Sequence, residues 1–74
     1  MKIVSPTHKR FGDRLKELRD KHKLTQEKLA DKIGVDRSYM GFLERGEKNP
    51  TLRMLALLAK AFDTTLSDLL KKVD

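Results

Sequence analysis

TQEKLADKIGVDRSYMGFLER, residues 25–45, reads as two short helices joined by a tight turn. Thr25 is placed to cap the first of them, and Leu24 just before it packs on Leu29 as a hydrophobic staple. Leu29, Ala30 and Ile33 follow at helical spacing and make an inward stripe. Ala30 matters because a helix crossing close to another needs a small side chain at the contact. Gly34 breaks the helix where a left-handed residue is most easily accommodated. Val35 plugs inward, Asp36 caps the second helix, and Met40 and Leu43 are its buried anchors. Cap, small residue, glycine, plug and anchors fall in the order of a helix-turn-helix.

Toward the N-terminus, residues 1–7 read as an arm. Ser5 or Thr7 caps a first helix, with Pro6 tolerated in its opening turn. That helix is expected from about His8 to Lys21, burying Phe11, Leu15 and Leu18 and turning Lys9, Arg10, Arg14 and Lys16 outward. His8 and His22 lie near its two ends, too far apart to share a metal, and read as surface residues. Toward the C-terminus, Gly46 ends the third helix and residues 47–50 form a polar loop. Thr51 caps a fourth helix running to about Phe62. One apolar stripe on it holds Leu52, Leu55, Leu58, Ala59 and Phe62; a second holds Met54, Leu57 and Ala61. Thr65 with Asp68 resembles a capping box opening a last short helix that buries Leu66, Leu69 and Leu70. No segment alternates with period two. The expected fold is all-α, five helices around one core, with the domain spanning residues 8–74.

Seventy-four residues make one small domain, and the absence of cysteine leaves helix packing to supply its stability. The net charge of +6 favours a polyanionic partner. No long apolar segment or signal peptide is present, so the chain is expected to be cytoplasmic and a complete protein. There is no nucleophile–base constellation, no carboxylate cluster at metal spacing and no phosphate-binding glycine loop. An enzyme is therefore not expected, and neither is a metal, a cofactor or a small-molecule effector.

A helix-turn-helix works by laying its second helix in the major groove, where the first residues of that helix meet base edges. Here they are Arg37, Ser38 and Tyr39. Arg37 presents a planar fork suited to guanine O6 and N7; Ser38 is a weaker reader. The Tyr39 ring could support helix packing while its hydroxyl reaches a phosphate. Arg45, Lys48 and Asn49 follow the third helix and are placed for the DNA backbone.

The sequence resembles the Xre-like family, the helix-turn-helix of lambda-type repressors and Cro proteins. LTQEKLADKIGVDRSYM is followed by LERGEKNPTLRMLALLAKAF and then TTLSDLL, so the likeness runs from about Phe11 to Leu70. It implies a compact lambda-repressor-like fold and a DNA-binding, repressor-like function in transcription regulation. It also implies that Gln26 points its amide at a phosphate, as the family's polar residue does at that place. An arginine late in helix one pairs with a glutamate late in helix three in related repressors; Arg19 and Glu44 stand at the matching places, and Arg19 on a phosphate is the alternative. Phe42 departs from the pattern, which has a polar or small residue there. It either packs on a thymine methyl or folds against the start of helix four. Leu57 also departs, standing where the family commonly has a polar residue.

The second stripe of helix four, Met54, Leu57 and Ala61, is expected to form a homodimer interface with help from residues 66–73. Cover by the last helix or the N-terminal arm is the alternative. The reading is a sequence-specific regulator binding double-stranded DNA as a homodimer on a palindromic operator. Restriction–modification controller proteins, small phage-type repressors and antitoxins all fit its size. A protein–protein adaptor is the reading from another class, and the polar groove face and the positive charge argue against it.

Overall fold

The computed structural model describes residues 5–74, and among these the structure is entirely helical: α1 (Pro6–Lys21), α2 (Gln26–Ile33), α3 (Arg37–Glu44), α4 (Leu52–Ala61) and α5 (Leu66–Leu69). No helix among these residues is long and apolar enough to cross a membrane. The helix N-termini share one local device. Ser5, Thr25, Thr51 and Thr65 are extended residues whose hydroxyls accept from the N–H of Thr7, Lys28, Met54 and Asp68. Each such bond satisfies a donor that the helix itself leaves open. Asp36 holds the cap position of α3 but makes no side-chain cap bond. Its carboxylate accepts the Ser38 hydroxyl instead. Thr65 and Asp68 make only half of the expected box, because the Asp68 carboxylate is turned to Thr64 and Arg14.

α1 starts at Pro6, two residues before the expected start at about His8; the expected arm falls mostly on residues 1–4, which lie outside those described. Ser5 caps the helix, and proline in the first turn loses no intrahelical bond.

The core gathers Phe11, Leu15 and Leu18 from α1, Leu29 and Ala30 from α2, and Met40 and Leu43 from α3. Leu58, Ala59, Phe62 and Leu69 close it from the C-terminal side. α1 and α2 both pack on α3, and its first two residues, Arg37 and Ser38, stay exposed. The tightest approach is at Gly12. A Cβ there would lie 2.3 Å from the Glu44 carbonyl oxygen, so the end of α3 rests directly on the backbone of α1. Ala30 is the small core residue expected from the motif, and it is 1 % exposed. Gly12 is the one that only the three-dimensional crossing reveals.

Three expectations fail here. Leu52 is 72 % exposed and Leu66 is 38 % exposed; neither joins the core. Both sit at helix starts, where the stripe has turned past the edge of so small a core. Arg14 is not on a solvated face but is buried. Its guanidinium donates to the main-chain oxygens of Asp68 and Leu69 (2.7 and 3.3 Å) and to Glu17 (2.7 Å). It thereby satisfies carbonyls at the end of α5 and ties that helix to α1. The hydrogen bond from Arg14 holds the Glu17 carboxyl below its ordinary value. Asp68 is lowered as well, first by the Thr64 hydroxyl.

Candidate nucleic-acid interface

Gly34, with φ 75°, makes the turn that sets α3 across α2. It can do so because a residue without Cβ enters the left-handed region freely. The result exposes the start of α3 beside the start of α2. Arg37 and Ser38 are exposed, and Tyr39 is half-buried with its ring packed on the core. Arg37 shares a hollow of about 440 Å³ with Arg19, Thr25, Gln26, Glu27 and Lys28. The N-terminal end of α2 faces this hollow, and its helix dipole adds positive potential to that of the cations. An anion of phosphate size is the ligand such a surface attracts.

Beneath it lies a hydrogen-bonded cluster built around Glu44, which is 7 % exposed. Arg19 donates from Nε to Glu44 Oε2 (2.7 Å) and from Nη2 to Oε1 (3.2 Å), a bidentate pair. A third donor, Nη1, binds the Leu24 carbonyl at 2.8 Å. The hydrogen bond to Glu44 raises the Arg19 pKa, keeping the cation charged. Gln26 joins the cluster, donating from Nε2 to Glu44 Oε1 at 3.1 Å. The structure thus brings Arg19, Gln26 and Glu44 together from three helices.

The second edge of the surface lies at the end of α3. Phe42 is half-buried, and its ring carries the Arg45 guanidinium at 5.1 Å and the Lys48 ammonium at 5.4 Å. The aromatic face holds both cations where they can also meet an anionic backbone. Arg45 is further bonded to Glu47 at 3.0 Å. Asn49 Oδ1 lies 3.1 Å from His8 Nε2, which must donate to it, so the opening of α1 borders the loop after α3. The expected surface histidine is therefore part of this edge. No spacing rule could have found it, because 41 residues separate the two partners. His22 is exposed, with Nδ1 2.9 Å from the Leu18 carbonyl and its ring against Phe62.

The second stripe of α4 is divided. Met54 and Ala61 pack part-way into the core, while Leu57 borders a shallow hollow with Lys32, Ile33, Lys60 and Ala61. Among the described residues no group of three or more His, Asp or Glu side chains could hold a metal ion.

A helix-turn-helix family model matches residues 15–69. An uncharacterised helix-turn-helix transcriptional regulator of Archaeoglobus fulgidus is 45 % identical over 56 residues, covering 76 % of this chain and 80 % of that protein. The crystal structure of the restriction–modification controller protein C.AhdI from Aeromonas hydrophila aligns with a TM-score of 0.81 at 45 % identity. The alignment covers 84 % of this chain and 94 % of that one. The controller protein C.Esp1396I, solved as a tetramer in complex with its natural 35 base-pair operator, aligns with a TM-score of 0.79 at 29 % identity over 93 % of this chain and 96 % of that one. With its helix-turn-helix at residues 25–45 inside a five-helix, lambda-repressor-like fold, the chain belongs to the helix-turn-helix family of DNA-binding transcriptional regulators.

Proposed function

We propose that the protein is a sequence-specific regulator that reads double-stranded DNA through the major groove, as a homodimer on a palindromic operator. The observation that carries this is the exposed start of α3 beside the cationic hollow at the start of α2. Arg37 reads a guanine, Ser38 and Tyr39 contact neighbouring groups, and Phe42 lies against a thymine methyl. Gln26 donates to a phosphate, and Arg45, Lys48 and Asn49 hold the backbone on the other side of the recognition helix. Arg19 and Glu44 fix the angle of α3 more than they add stability, because desolvation offsets much of their attraction. The similarity to C.AhdI and C.Esp1396I favours a controller-type role for a regulator of this size.

The test is the salt dependence of binding. On duplex DNA log K is expected to fall with log salt by roughly 0.9 for each phosphate neutralised. With Arg45 and Lys48 from both subunits engaged, the slope is steep. A flat titration between low and physiological salt would remove DNA as the partner and return the adaptor reading.

A further inference from the structure

We infer that Glu44 is a positioning residue for DNA binding: it selects which face of the Gln26 carboxamide is offered to the phosphate. This rests on the proposal that Gln26 contacts a phosphate. A primary carboxamide has two faces of opposite character, an oxygen that repels a phosphate and an NH2 group that attracts it. A glutamine held only by solvent presents either. An ionised carboxylate can only accept, so it draws the NH2 side. Here Glu44 Oε1 accepts from Gln26 Nε2 at 3.1 Å. That bond uses one of the two amide hydrogens and orients the carboxamide. The second hydrogen is left to donate toward the hollow that Gln26 lines with Arg37 and Lys28.

A buried anion close to a phosphate site would ordinarily weaken it. Arg19 removes that cost, because its bidentate pair with Glu44 neutralises the carboxylate and holds both oxygens in place. Arg19 is in turn fixed by its bond to the Leu24 carbonyl, immediately before the Thr25 cap of α2. The chain of contacts therefore runs from α1 through the end of α3 to the first residue of α2. Orienting a donor before DNA arrives reduces the ordering that binding must supply.

The experiment is a double-substitution cycle read as operator affinity. Glu44→Asp shortens the side chain by one methylene. It keeps a charge opposite Arg19 while withdrawing the acceptor from Gln26. Gln26→Ala is expected to lower affinity about tenfold in the native background, the size of a hydrogen bond to a charged acceptor. In the Glu44→Asp background the same change is expected to cost about twofold or less, the size of the weakest neutral hydrogen bonds. An undiminished loss there would overturn the inference and leave the phosphate contact standing. No loss in the native background would overturn the phosphate contact and the inference with it. A second measurement needs no Glu44 variant. Gln26 is the sole glutamine and Asn49 the sole asparagine of the chain, so their side-chain NH2 signals are readily assigned by NMR. Restricted motion of the Gln26 NH2 in the free protein is expected. Motion like that of a solvent-exposed glutamine would overturn the inference.

Discussion

Arg37 stands exposed at the first position of α3, where a guanidinium can reach a base edge without disturbing anything beneath it. Arg37→Ala is accordingly expected to leave the fold intact, to cost about 1–3 kcal/mol on the cognate site, and to relax preference at one base pair of each half-site. Competition assays on cognate and scrambled duplexes check this. Equal losses on both would make Arg37 a backbone contact rather than a reader. The place of Arg37, exposed at the start of α3, is legible in sequence because the motif fixes its register. Arg14 is the opposite case. It shares α1 with Lys9, Arg10 and Lys16 and looks like them in a helical projection, yet it is buried against the end of α5. Besides Glu17 one turn on, it bonds main-chain oxygens more than 50 residues away, and carbonyls leave no trace in the identity of a side chain.

The helices end alike but not on the same residues. α1, α2, α3 and α4 close with the N–H just after a left-handed residue bonded five residues back: Leu24 to Arg19, Val35 to Ala30, Glu47 to Phe42 and Thr64 to Ala59. This ending requires a left-handed residue at the turn. Gly34 and Gly46 supply it at no steric cost, with φ 75° each, whereas Lys23 (φ 56°) and Asp63 (φ 53°) bear it with a Cβ. Lys23→Gly and Asp63→Gly are therefore each expected to raise stability by up to about 1 kcal/mol, the strain relieved exceeding the added freedom of the unfolded chain. Urea denaturation measures this directly, and a loss of stability in both variants would show that no strain is held there. The element starts were readable because a Ser or Thr cap is a local signal. The ends of α1 and α4 were placed by helical pattern alone, since lysine and aspartate do not announce a left-handed turn. Gly12 was missed because its constraint comes from α3 crossing above it.

As a whole molecule the protein fully buries only Leu58 and Ala59 of α4, with Phe62 at its end, and leaves apolar surface along α4 and α5. Leu57 is half-buried, and Leu52 and Leu66 are exposed. A two-fold contact along these elements would use the same residues from both subunits and set two recognition helices about one DNA turn, roughly 34 Å, apart. Leu57→Glu separates folding from assembly. In the monomer the new carboxylate lies beside Lys32 and Lys60, which tolerate it; across a two-fold axis it meets its own mate. Sedimentation is expected to show a folded monomer with weak operator binding, and a persistent dimer of normal affinity would move the interface elsewhere. The sequence marked α4 as doubly apolar, but which leucines stay outside depends on where a small core ends, which no periodicity records. The central claim, that this surface reads DNA sequence, is tested most directly by selecting bound sites from a random duplex pool. The expected result is enrichment of one inverted repeat with half-sites centred about 10 base pairs apart or a multiple of that. Recovery of the pool without enrichment would contradict it.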